Sequence, residues 1–377
     1  MADPSELPEP DAVEGVPHPR HAQRVFGHEE AEAAFLDAFN SGRLHHAWLI
    51  SGPRGIGKAT LAWRMAAFLL AQPTEPAPGL FGEPEPLTSL DIDPDSPLRH
   101  RIAALSESRL MLLRRGPNDK GDQLETQITA KPVRALKEFF HLSSTDGGRR
   151  VVIVDPADEM NPTAANALLK ELEEPPKATT FLIVCHQPHQ LLPTIRSRCR
   201  SLRLGPLAPE ALTAALDQAG AVPPEDSATL ASLAAGSAGA AVRLVNLGGL
   251  DLWASLLELM KGAPGIDRPA AIKFCEGFAG RAKEPQFDLV LTLIDLFLSR
   301  LARAGVDPDQ ARAATEAEAA LLARLAPDPR AGRGWAALQQ ELSARARHGK
   351  AVNLDPGSLI LDTLLRIDEA ASTLALR

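Results

Sequence analysis

The sequence predicts an α/β domain built on a parallel sheet, followed by a small helical domain and a larger all-helical one. Three observations lead there. Short apolar runs at Ala47–Ser51, Leu110–Leu113, 151–154, 181–184 and 201–204 alternate with helical or loop material, as in a parallel sheet covered on both faces. After Gly205-Pro206 only helical patterns remain. The first run passes through a Gly-rich loop and a lysine directly into a helix, the context of a phosphate-binding loop.

Taken in order, residues 1–20 open with MADPSELPEPDAVEG, acidic and Pro-rich, and read as a disordered tail. Residues 21–72 read helix, strand, helix, with the second helix at Lys58–Ala71. Residues 73–98 are rich in Pro, Asp and Glu with little periodicity, and read as a surface insertion. The remaining strands complete an α/β domain over 21–205. Residues 206–247 form a small helical bundle, with helices at Pro209–Gln218, 226–235 and 239–246. Residues 248–377 form the larger helical domain. Its 288–304 helix is apolar on more than one side and so is read as buried. Asp355-Pro356 supplies an N-cap and a first-turn proline for the last helix.

The length, 377 residues, suits two or three domains. A net charge of −8 argues against binding nucleic acid through the overall field. Aromatic residues make up 4% and tyrosine is absent, which disfavours base-stacking platforms. Cys185, Cys199 and Cys275 lie far apart, so neither a zinc site nor a disulfide framework is expected. No apolar run approaches the roughly 20 residues of a membrane span, and the N-terminus lacks the features of a secretory signal. The reading is a cytoplasmic protein with no membrane partner.

The loop Gly52, Pro53, Arg54, Gly55, Ile56, Gly57, Lys58, Ala59, Thr60 matches G-x-x-x-x-G-K. Its glycines let backbone N–H groups curl around phosphates, and Lys58 reaches the β- and γ-phosphates. The next position normally carries the Ser or Thr that binds Mg²⁺. Here it is Ala59. Thr60 stands about 100° further round the helix and does not replace it. The 151–154 run ends in Asp155, suited to the carboxylate that meets the metal. The general base expected next is replaced by Pro156, while Asp158 and Glu159 lie further on. Losing a general base typically costs 10²–10⁴ in rate. The site reads as one that holds ATP or ADP with weak or absent Mg²⁺ coordination and hardly hydrolyses it.

Four segments then occur in a recognisable order: 44–50 (LHHAWLI), the phosphate loop, 166–176 (NALLKELEEPP) and 195–199 (IRSRC). Together they resemble the bacterial clamp-loader subunits of DNA polymerase III, which are AAA+ proteins. The resemblance covers most of 20–205 and extends more loosely over the helical remainder, where 352–356 (VNLDP) is also similar. It implies an AAA+ P-loop domain at 21–205, a lid at 206–247 and a collar at 248–377. Within the family the departures point to the delta-prime type rather than the hydrolysing gamma/tau motor. Ala59 and Pro156 are two of them. His186 stands where the motor has a γ-phosphate-sensing Thr, and Gly239 where the motor has a second sensor arginine. Many delta-prime relatives carry a four-Cys zinc module after the phosphate-loop helix; this chain has 73–98 there, so no zinc is expected.

The resemblance also implies that Arg198 is an arginine finger acting on a neighbouring subunit's ATP site, the chemistry suited to a forked, permanently charged guanidinium. By spacing alone Arg198 reads rather as a salt-bridge or DNA-phosphate residue in a basic cluster with Arg196, Arg200 and Arg203. The implied partners are gamma/tau and delta subunits in a hetero-pentamer and, through it, the sliding clamp and primer-template DNA. The chain itself would carry no ATPase or polymerase activity, and its enzyme label would belong to the polymerase holoenzyme. Val25, Phe26, Gly27 and His28 stand where the family places adenine contacts, or form a plain helix entry. His45, His46, Trp253 and Trp335 read as packing residues, and Arg149-Arg150 as a solvated strand start. Two rivals stay open: a gamma/tau-type motor, and a stand-alone DNA-binding protein with a relict phosphate loop.

Overall fold

Five parallel strands form one sheet: β1 (Ala47–Ser51), β2 (Leu110–Leu113), β3 (Arg150–Val154), β4 (Thr179–Cys185) and β5 (Arg200–Arg203). Their order across the sheet is β2-β3-β4-β1-β5, with β1 between β4 and β5. The computed structural model describes residues 9–13, 15–74, 86–118, 120–142, 148–221, 227–278, 280, 283–307 and 313–375. The chain folds as two units, Met1–Ala221 with Gly236–Gly239, and Val222–Ala235 with Ala240–Arg377. The stretch expected as a lid, 206–247, is shared between them.

The continuous apolar runs of the strands follow from burial on both faces. Successive side chains point to opposite sides of a strand. Trp48, Ile50, Val151, Ile153, Leu182 and Val184 pack on one face with Phe35, Leu61, Trp63 and Phe68. Ala47, Leu49, Val152, Val154, Phe181 and Ile183 pack on the other with Leu136, Phe140, Leu168 and Leu172. The Lys58–Ala71 helix is buried from Lys58 to Leu70, apart from its partly buried second and third residues. Its Arg64 keeps its charge compensated by Glu32 at 3.3 Å and Asp91 at 2.8 Å. The helix Pro162–Glu173 starts where expected, because Asn161 Oδ1 accepts the Ala164 N–H at 2.8 Å. Asn161→Ala is expected to cost about 1 kcal/mol of stability, the usual worth of such a cap, measurable as a lowered urea midpoint.

Two expectations meet a different outcome. Residues 9–13 and 15–20, placed in a disordered tail, make specific contacts. Glu9 pairs with Arg20 at 2.7 Å and Arg114 at 3.0 Å, and His18 Nε2 lies 3.0 Å from Asp11 Oδ2, with Arg114 also on Asp11. His18 stacks edge-on against Trp63 at 5.6 Å. An acidic, apolar-poor segment is ordered here because its charges find distant partners. In the 73–98 segment, 75–85 lie outside the described residues. The part that follows is not purely surface: Leu90 is buried in the core, with Ile92 against it, and Ser96 caps the helix Pro97–Ala103.

The second unit is helical. It comprises Ser227–Ala234, most of Ala238–Asn246, Gly249–Met260, Arg268–Glu276, Glu284–Val306, Glu316–Leu325, Pro329–Ala351 and Pro356–Leu374. Glu284–Val306 and Pro329–Ala351 cross closely. A Cβ on Gly305 would fall 2.6 Å from the Gly332 nitrogen, so only glycine allows that approach. Trp253 and Trp335 are core residues as expected, with Trp335 Nε1 donating to Leu325 O at 2.8 Å. A buried ion pair, Arg300 to Glu318 at 2.5 Å, is completed by Ser232 and by the Trp253 ring. Asp355 caps the last helix through Ser358 N–H at 2.8 Å. No single helix among the described residues is long and apolar enough to cross a membrane.

Candidate nucleotide site and a remote arginine

Because β1, β3 and β4 run parallel, their C-terminal ends deliver three segments to one place: the loop 52–57 after Ser51, Asp155 after Val154, and His186 after Cys185. Gly52 turns away from β1 at a φ of 149°, and a Cβ there would sit 2.4 Å from Leu204 O. Gly57 caps the helix in the left-handed conformation. Val25 and His28 lie beside it, and His28 Nε2 is 2.6 Å from Ile56 O. The expected neighbours of a bound base are therefore next to the loop.

Lys58 is buried and turned back on its own loop, donating to Gly52 O at 2.8 Å and to Pro53 O. Burial brings its ammonium down to about 8, against the opposing pull of Asp155 and Asp158. Asp155 is 5% exposed, and its Oδ2 has no hydrogen-bond partner among the described residues. Burial pushes its carboxyl up to about 7, with the charge of Asp11 adding to the effect and Lys58 opposing it. Burial also pushes the Asp11 carboxyl up, but His18 and Arg114 hold it below its ordinary range. His186 is held neutral, its pKa lowered to about 4 by burial first and then by the charges of Lys58 and Arg54.

The acids downstream of Pro156 are engaged elsewhere. Asp158 Oδ1 accepts the His186 N–H at 2.8 Å. Glu159 bridges Arg54 and Arg115, each at 2.8 Å. Neither is free to take up the role of the missing base. Ala59 and Thr60 follow Lys58 half-buried at the helix start, and Ala59 brings no hydroxyl. The cradle fits a phosphate, through its glycines, the helix N-terminus and Lys58, and the unpartnered Asp155 oxygen suits a cation. It lacks the hydroxyl that would complete a metal site.

One feature of this site carries little signal in the sequence. The segment Gly236–Gly239 packs on the phosphate loop: Gly239 N donates to Gly55 O at 2.9 Å, and Ser237 Oγ donates to Arg54 O at 2.9 Å. A Cβ on Gly239 would meet Gly55 Cα at 3.0 Å. Gly239, which stands where the resemblance places a motor's second sensor arginine, is small because backbone lies directly against it. The only sequence hint is the run of small residues from Ala234 to Ala241.

Arg198 lies elsewhere. It precedes β5, and β5 pairs with β1 in the register Trp48↔Arg200 to Ser51↔Arg203. The loop leaves the C-terminal end of β1, whereas Arg198 enters at the N-terminal end of β5. The two are separated by the length of β1, about 16 Å at roughly 3.3 Å per residue. Arg198 is held by Glu173 at 2.9 Å and by Thr194 O at 3.0 Å, with 36% of its side chain exposed. Arg200 stacks 4.9 Å from the Trp48 ring. The geometry excludes Arg198 from its own chain's loop.

Comparison with known proteins agrees with these segments. Residues 27–208 match the family model described as DNA polymerase III, delta subunit. The chain is 41% identical over 154 residues to DNA polymerase III subunit delta' of Pseudomonas aeruginosa, covering 41% of each protein. It is 31% identical over 207 residues to that of Escherichia coli, covering 55% of this chain and 56% of the relative. The gamma/tau subunit of Mycobacterium bovis is 30% identical over 204 residues, covering 52% of this chain and 31% of the relative. The matches thus span about half, or less, of these relatives' lengths. A solved DNA polymerase III gamma subunit-related protein from Thermotoga maritima aligns at a TM-score of 0.43 and 16% identity, over 89% of this chain and 99% of that one. The 27–208 region is thus similar to both the delta' and the gamma/tau subunits of bacterial DNA polymerase III.

Proposed function

We propose that the chain acts as a non-hydrolysing clamp-loader subunit of the delta-prime type, lending Arg198 to the ATP site of a neighbouring motor subunit. The observation that carries this reading is the separation of the two chemistries. The cradle around Lys58 lacks the metal-binding hydroxyl and a free base, while a forked cation stands at the far end of the same sheet. A bound ATP or ADP would meet Lys58 and the loop N–H groups, and Asp155 would face any accompanying cation. Among the described residues, Asp158 and Glu159, the acids that follow Pro156, are engaged by other groups rather than free to activate water. The partners of this reading are gamma/tau and delta subunits in a pentamer, with the sliding clamp and primed DNA handled by the assembly.

The motor reading differs in one measurable respect. The purified full chain is expected to show no steady-state ATP hydrolysis, and Lys58→Ala is expected to change nothing. Turnover that disappears in Lys58→Ala would overturn the proposal in favour of an active motor. Capture of gamma/tau and delta subunits by the chain would support the assembly. Salt-dependent DNA binding without such capture would favour a stand-alone DNA-binding protein.

A further inference from the structure

The phosphate loop carries a cation of its own besides Lys58. Arg54 stands between Pro53 and Gly55, and the backbone there is pinned: Ser237 Oγ donates to Arg54 O and Gly239 N to Gly55 O, each at 2.9 Å. The Arg54 side chain is held far less. It is 70% exposed, and its Nη2 donates to Glu159 Oε1 at 2.8 Å. Glu159 comes shortly after Asp155 at the end of β3, and its other oxygen lies 2.8 Å from Arg115 Nε. Because Arg115 follows β2, the carboxylate would keep one cation if Arg54 left it. Burial is the main cause of the raised Asp155 and the lowered His186, yet the Arg54 charge reaches both, opposing the first shift and adding to the second. The guanidinium therefore stands near the ends of β3 and β4.

A triphosphate is usually held with a metal ion that bridges its two outer phosphates and offsets their charge. Here Ala59 leaves the metal without its hydroxyl ligand. Lys58 is buried and bonded to Gly52 O and Pro53 O, and a single ammonium does not balance a triphosphate. Asp155 marks the side on which the metal and the outer phosphates would lie, and Arg54 reaches toward the segment that follows Asp155. An ion pair this open to water holds weakly, whereas forked guanidinium–phosphate bonds are charge-assisted and strong. We propose that Arg54 exchanges Glu159 for the outermost phosphate of a bound nucleoside triphosphate, supplying the neutralisation usually left to Mg²⁺, while Glu159 stays with Arg115. Arg54 is then a specificity residue that favours triphosphate over diphosphate and frees binding from the metal. The inference rests on the reading of the loop as a nucleotide cradle.

The test is calorimetric titration of the full chain with ATP and, separately, ADP, each in Mg²⁺ and in excess EDTA. ATP is expected to bind with similar Kd in both buffers and several-fold more tightly than ADP. Arg54→Gln is expected to raise the Kd for ATP about tenfold, the worth of one charged hydrogen-bonding group, and to leave ADP nearly unchanged, so that the preference disappears. Glu159→Gln removes the competing carboxylate and is expected to tighten ATP several-fold, a gain absent when Arg54→Gln is combined with it. Should Arg54→Gln disturb the loop, Arg54→Lys keeps the charge without the fork and is expected to retain only part of the preference. Saturable binding that Arg54→Gln weakens equally for ATP and ADP, or not at all, would overturn the proposal and leave the cradle intact, as would ATP binding that vanishes in EDTA. No saturation with either nucleotide up to millimolar concentrations would overturn both.

Discussion

Arg198→Ala is expected to slow ATP hydrolysis by the reconstituted clamp loader by about 10³-fold or more, the usual worth of an arginine supplied across an interface. The expectation rests on Arg198 being too far from its own loop to act there. A guanidinium offers planar forked donors, so Arg198→Lys should recover only a small part of the rate. The alternative, that Arg198 is a structural salt bridge to Glu173, predicts something else. That pair is substantially exposed on both sides, and exposed pairs contribute about 0–1 kcal/mol. The isolated Arg198→Ala chain should therefore melt within a few degrees of the parent and still assemble. Full ATPase in an assembled Arg198→Ala complex would leave only the salt bridge.

Asp155→Asn is expected to stabilise the isolated chain at pH 8 by as much as about 4 kcal/mol, with the gain vanishing near pH 4. Burial raises the Asp155 carboxyl from 3.8 to about 7, and each tenfold change in proton affinity is worth about 1.36 kcal/mol. The direction follows from linkage. Below pH 4 both folded and unfolded chains hold the proton, and Asp and Asn are equivalent. Between pH 4 and 7 the unfolded chain releases its proton first, so the native protein loses stability as pH rises. Above 7 the full cost persists. Lys58 has the opposite sense, since its folded pKa is depressed from 10.5 to about 8. Its contribution is lost as pH falls through 10.5 to 8 and stays clear of the acidic window. A Tm difference independent of pH, or a loss of stability at pH 8, would contradict this.

The strands were legible because both faces of the sheet are buried, which turns each strand into an unbroken apolar run. β1 and β2 match residue for residue. β4 starts two residues earlier than read, since Thr179 and Thr180 look polar locally yet are 4% exposed. Caps at Asn161 and Asp355 were legible for a local reason, as their partners lie three residues away. What escaped is long-range. Composition alone could not pair Glu9 and Asp11 with Arg114, about a hundred residues on. It could not show Gly239 lying against Gly55 either. The altered positions Ala59, Pro156 and His186 were visible as substitutions. The engagement of Asp158 and Glu159 by other groups was not.

If Arg198 acts across an interface as proposed, its placement opposite the loop gives the chain a direction. A contact in which one molecule contributes an arginine and the next contributes a cradle is head-to-tail and generates rows or rings rather than mirrored pairs. A member able to give across such a contact, but with nothing to gain from receiving, fits naturally at one terminus of the row. On the proposed function, polarity within a single sheet would become a rule for the seating order of a whole assembly.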